Sequence, residues 1–68
     1  MTEAEIETLK ERLSALRTEH HDLDAVISRI EESRVYEDEQ LHRLKKRKLL
    51  LKDQIAVLER RLVPEYQH

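Results

Sequence analysis

The stretch Ile30-Glu31-Glu32-Ser33-Arg34-Val35-Tyr36-Glu37-Asp38-Glu39-Gln40-Leu41 separates two regular runs of apolar residues, and its reading decides the fold. Upstream, Ile6, Leu9, Leu13, Leu16, Leu23, Ile27 and Ile30 recur at spacings of three and four once His20 is counted between Leu16 and Leu23. Downstream, Leu41, Leu44, Leu51, Ile55, Leu58 and Leu62 do the same with Lys48 counted between Leu44 and Leu51. Such spacing lines up one apolar seam along one helix face, as in a coiled coil. Carried through the intervening stretch, the same phase puts Arg34 and Glu37 into the seam. Two successive charges there predict a break. The chain therefore reads as a helix over about 3–33, a connector over 34–38 and a second helix over about 39–63, with Asp38 as N-cap and Glu39 and Gln40 in the first turn. The stretch holds neither Gly nor Pro, and the heptad phase crosses it unshifted. One continuous helix of ~90 Å, at 1.5 Å per residue, is thus the rival architecture.

A hairpin makes a demand that a rod does not. If the chain turns at Val35 and Tyr36, Ile30 falls opposite Leu41, Ile27 opposite Leu44, Leu16 opposite Ile55, Leu13 opposite Leu58 and Leu9 opposite Leu62. Every pair is apolar on apolar. The flanks agree, with Lys10 and Arg17 near Glu59, Asp24 near Lys45 and Lys52, and Glu31 near Lys45. Exposed pairs of this kind contribute under ~1 kcal/mol each and select register more than they stabilise. The fold expected is all-α: an antiparallel two-helix coiled-coil hairpin forming a single unit over residues 1–68.

Composition supports this from a different direction. Ala, Glu, Lys, Leu and Arg make up 39 of 68 residues, above the roughly half that marks long helices, and there is no Gly, so sheet folds and Gly-rich phosphate loops are disfavoured. A chain this short buries too little apolar surface to offset its ordering entropy comfortably, which predicts oligomerisation or very regular helix packing. Thr2 with Glu5 three residues on is a capping-box pattern that starts a helix at once. Pro64 is expected to stop the second helix and leave residues 65–68 frayed. With no Cys, disulfides, thiolate metal sites and cysteine nucleophiles are absent together, which fits a reducing compartment. No apolar run approaches the ~20 residues that cross a bilayer, and the first residues are acidic where a signal peptide is basic, so a cytoplasmic protein with no membrane partner is expected. The 13 basic and 15 acidic residues leave a net charge of −2, and nothing global draws the chain to nucleic acid.

Two segments carry a family resemblance. His20-x-x-Leu23-Asp24-x-x-Ile27, followed by Lys45-Lys46-x-Lys48-Leu49-x-Leu51-Lys52-Asp53-x-Ile55, resembles the YdcH-like family of small bacterial proteins, a domain of unknown function. The second pattern is the more specific, and the resemblance covers about residues 13 to 58. It implies signature positions at His20, Asp24, Lys45, Lys46, Lys48, Leu49, Lys52 and Asp53, a helical hairpin prone to coiled-coil association, and no catalytic residues. The chain departs from the family in its uninterrupted N-terminal Leu seam, where members often carry aromatics and a proline, and in a connector without glycines.

The polar seam positions are His20, Asp24 and Lys48. His20 falls beside Leu51 and Lys48 beside Leu23, in neighbouring layers, where polar residues commonly fix register at a cost in stability. A sharper reading makes His20, Lys48 and Asp24 a pH-sensitive joint. His20 and Asp24 lie one turn apart and could share an ion, but His21 and Asp22 project elsewhere, so a closed zinc site is not encoded in one chain and no metal or other cofactor is expected. Nor is an enzyme: no nucleophile sits beside a base, and a two-helix unit is not expected to form a cavity of the size small molecules usually occupy.

Two surfaces remain. Residues 41–52 hold Arg43, Lys45, Lys46, Arg47, Lys48 and Lys52 with no acid, and Lys45, Lys46, Arg47 and Lys52 form a candidate patch for nucleic acid or another acidic partner. Glu19, Asp22 and Asp24 face that stretch, and no aromatic interleaves it, which weighs against base recognition. The second helix also carries Leu49, Leu50, Ala56, Val57 and Val63 beside its seam, more apolar surface than one partner helix can cover. Ala15, Val26, Leu50 and Val57 lie along one flank, where Arg12 and Arg61 would approach each other. There a second hairpin is expected to dock, giving a homodimer in a four-helix arrangement. The function expected is a helical interaction or assembly module of unknown cellular role, with the acidic-partner binder as alternative.

Overall fold

A computed structural model describes the backbone of residues 1–66 and the side chains of residues 1–63. It holds two helices, α1 over Glu3–Ser33 and α2 over Asp38–Tyr66, packed against each other as an antiparallel hairpin. No strand is present among the described residues. The longest dimension is 48 Å, about the length of 31 helical residues and half that of an unbroken rod, so the continuous helix is excluded.

α1 begins on an N-cap at Thr2, where the expected capping box forms its Thr2 limb. The Thr2 hydroxyl oxygen accepts from the Glu5 amide at 3.2 Å and donates to the Glu5 carboxylate at 3.1 Å, while the Ile6 amide donates to the Thr2 carbonyl at 3.0 Å. It ends on Arg34, whose φ of 60° and ψ of 7° put it in the left-handed region. Glycine usually takes this place because it has no Cβ to crowd the carbonyl. Here Ser33 supports the turn: its hydroxyl donates to the Ile30 carbonyl at 2.7 Å and its oxygen accepts from the Val35 amide at 3.4 Å.

The second helix differs from expectation at both ends. Asp38 is its first helical residue rather than its N-cap, because the Leu41 amide closes the first turn on the Glu37 carbonyl at 3.1 Å. Asp38 and Glu39 then both lie in the first turn, where negative charge favours the helix dipole. At the other end α2 continues past Pro64 to Tyr66. A proline removes one amide donor, which costs less in the last turn than in a helix interior. Residues 67 and 68 of the expected frayed tail lie outside the described residues.

The core follows the seams. Leu13, Leu16, Leu51, Leu58 and Leu62 form one buried cluster, with Ile6, Leu9, Leu23 and Ile55 packed on it. Ile27 and Leu41 are buried nearer the turn. Each of the five apolar pairs expected across the hairpin contributes at least one buried residue, which is what matched registers on two facing stripes produce.

Candidate interaction site

Heptad position decides what each functional side chain can reach. Residues beside the seam on α1 face their equivalents on α2, and there the ion pairs form: Arg17 with Glu59 at 3.3 Å, Lys45 with Glu31 at 3.3 Å and Arg47 with Glu19 at 2.8 Å. The first two match the sequence-based expectation. Lys10 lies 3.9 Å from Glu7 of its own helix. Asp24 goes to Lys48, at 2.6 Å, rather than to Lys45 or Lys52. The physical reason is the length of the lysine stem, which leaves a seam position and carries its ammonium out to the flank.

The Lys48 ammonium holds the Asp24 carboxyl below the usual carboxylate range, first through their hydrogen bond and then through its charge, with His20 and His21 adding smaller attractions. His20 is half-buried, and its Nε2 is enclosed without a hydrogen-bond partner. The two polar residues within the seam itself are thus unlike: Lys48 reaches Asp24 on the flank, whereas His20 leaves a ring nitrogen in the apolar layer. Among the described residues no three His, Asp or Glu side chains converge on a point that could hold a metal ion.

The basic stretch is largely answered from within. Arg43 pairs with Glu39 at 3.0 Å, so four of its six cations have carboxylate partners. Of the candidate acidic-partner patch, Lys45 and Arg47 are engaged, while Lys46 and Lys52 have no partner among the described residues.

The expected self-association residues are all placed on the flank or outer surface. Leu50 is 48% exposed and Val57 45% exposed, Ala15 is exposed, and Val26 is half-buried. Leu49 and Val63 are exposed as well. Of the large apolar side chains exposed within the two helices, every one belongs to α2; the others, Met1, Val35 and Tyr36, lie outside them. The outer face of α1 is polar, through Glu11, Ser14, Thr18 and His21. Beside Val57 an open groove of about 510 Å³ runs between the helices, lined by Leu9, Leu58, Asp53, Gln54, Arg12 and Arg61. A groove of that volume was not expected of a hairpin; Arg12 and Arg61 both line it, and neither has an ion-pair partner among the described residues. No helix among the described residues is long and apolar enough to cross a membrane.

A family model described as a protein of unknown function, DUF465, matches residues 13–59. No curated protein and no solved structure matches the chain.

Proposed function

The chain belongs to the DUF465 family, whose function is unknown, and from that premise we propose that it is a non-enzymatic helical assembly module that pairs with a copy of itself. The observation carrying this reading is the placement of Leu49, Leu50, Val57 and Val63 on the exposed side of one helix while seven other residues fill the hairpin core. Clustered exposed apolar side chains favour association because burying them removes apolar area from water. Leu50 and Val57 form the middle of the contact, and Ala15 and Val26 lie at its α1 edge. The matched segment contains the motifs that resemble the YdcH-like family of small bacterial proteins, which supports a bacterial origin. A cytoplasmic setting belongs to the same proposal and rests on the cysteine-free composition alone.

Sedimentation of the purified chain is expected to give a species heavier than 8.2 kDa that dissociates on dilution. The Leu50→Glu, Val57→Glu double variant is expected to stay helical and sediment as a monomer. A wild-type chain that stays monomeric at high concentration would remove the reading.

The free ammoniums of Lys46 and Lys52 favour a second reading, a weak binder of nucleic acid or another acidic partner. The two readings separate under salt: phosphate binding falls steeply as salt rises, whereas apolar association holds or strengthens. A gel-shift series with no complex even at low salt would dispose of the second.

A further inference from the structure

α2 carries a second stripe on the side opposite its seam, with Asp53 and Val57 at the edge that borders the groove shared with α1. Leu49, Leu50, Ala56, Val57 and Val63 flank it, and Lys46, Asp53 and Arg60 run along its centre at seven-residue intervals, ~10.5 Å apart. Asp53 and Arg60 are exposed, and neither has an ion-pair or hydrogen-bond partner among the described residues. A central line of opposite charges between two apolar rails sets a register for whatever docks on it.

We infer that the occupant of this stripe is a second copy of the chain, docked antiparallel with α2 against α2, with Asp53 of each copy seated on Arg60 of the other. The inference rests on the self-association reading and adds its geometry. A two-fold axis between Ala56 and Val57 gives this register, because it carries each residue to the equal distance on the opposite side. Asp53 then meets Arg60 twice, Ala56 and Val57 each meet their own copies beside the axis, and Leu49 meets Val63 twice. The competing registers are poorer. Parallel docking, or an axis at Asp53, sets aspartate on aspartate. An axis between Leu49 and Leu50 pairs Lys46 with Asp53 but leaves Val57 against His42 and Val63 against Tyr36. The two α2 helices lie innermost in the resulting four-helix assembly, and Ala15 and Val26 sit at its margin.

The test is a charge exchange read by sedimentation equilibrium, with circular dichroism as a check on folding. Asp53→Arg alone sets guanidinium on guanidinium at both symmetric positions, and Arg60→Asp alone sets carboxylate on carboxylate. Each is expected to weaken the dimer about tenfold or more at low salt. The double variant Asp53→Arg, Arg60→Asp is expected to return to within a few-fold of wild type. Because the chain has no Cys, a second readout is available. Leu49→Cys mixed with Val63→Cys is expected to form a disulfide-linked heterodimer on oxidation, and neither variant alone is expected to do so. If the wild type dimerises but the single exchanges leave it unmoved, or Lys46→Asp rescues Asp53→Arg where Arg60→Asp does not, the register is overturned while self-association stands. A wild type that never dimerises overturns both.

Discussion

Lys48 occupies a seam position of α2, yet its ammonium lies 2.6 Å from a carboxylate oxygen of Asp24 on α1. The residue that ought to break the apolar seam instead ties its two sides together, burying its methylene stem and keeping its charge at the edge. The same contact explains why Asp24 is held more acidic than an ordinary aspartate.

That shift has a testable sign. Because the folded-state pKa of Asp24 is depressed, the contribution of the pair is present above the ordinary aspartate pKa and is lost as pH falls through the folded value. Asp24→Asn is therefore expected to melt below wild type at neutral pH, by a small margin since the pair is well exposed. The two melting curves are expected to converge as pH falls from the ordinary aspartate range through the lower folded-state value, since protonation leaves both chains with an uncharged side chain at this place. A gap that does not narrow as the solution is acidified below the ordinary aspartate pKa would mean that the Lys48 contact is not its source.

His20 gives the opposite case. Its Nε2 is enclosed with no partner, a desolvation cost of ~1–3 kcal/mol for a polar group left unmade. The position lies in the Leu seam beside fully buried Leu51. His20→Leu is expected to stabilise the hairpin by about 1 kcal/mol and raise Tm by ~4–8 °C. Chemical denaturation is the better measure, because the free energy comes from the midpoint and slope together. A less stable variant would show that the imidazole has a partner in solution.

How much of this was legible in the sequence depends on the length scale of the interaction. The two helices, their buried faces and the Arg17–Glu59 and Glu31–Lys45 pairs follow from heptad phase, because residues seven apart repeat the same environment. The turn does not. Its break was visible as Arg34 and Glu37 falling into the seam, but the left-handed residue at Arg34 carries no glycine to announce it, and the Ser33 hydroxyl that supports it looks like any helix-end serine. The partner of Asp24 was misread for a related reason: heptad lettering gives the direction of a Cβ and not the reach of a four-carbon stem. On the candidate surface, Leu50 and Val57 were legible as surplus apolar residues. That the surplus lies almost wholly on α2, and that a groove lined by Arg12 and Arg61 lies beside it, required the packed hairpin.

Arg34 itself supplies a further prediction. A non-glycine residue in the left-handed region costs ~1–2 kcal/mol, partly offset on mutation by the extra freedom glycine brings to the unfolded chain. Arg34→Gly is expected to gain about 0.5–1 kcal/mol, and Arg34→Val to lose at least as much, since a β-branched side chain fits this region worst. Urea midpoints for the two variants, measured on either side of wild type, are the check. A midpoint that falls with glycine would mean the turn does not hold this conformation in solution.

The consecutive leucines at 49, 50 and 51 set the sharpest contrast, because three identical side chains have three different surroundings. Leu51 has no solvent exposure and lies in the main cluster, whereas Leu50 is 48% and Leu49 62% exposed. Leu51→Ala leaves a cavity in a small core and is expected to cost about 3 kcal/mol, enough to leave much of so short a chain unfolded. Leu50→Ala is expected to change the monomer by under ~0.5 kcal/mol. Its cost should grow with protein concentration, because the side chain gains a partner only when two copies meet. Leu49→Ala, at the edge of the same stripe, should follow Leu50→Ala in kind with a smaller amplitude. Denaturation of all three variants at low and high concentration separates the two roles. A Leu50→Ala defect of equal size at both concentrations would assign that residue to the hairpin itself and remove it from the outward stripe.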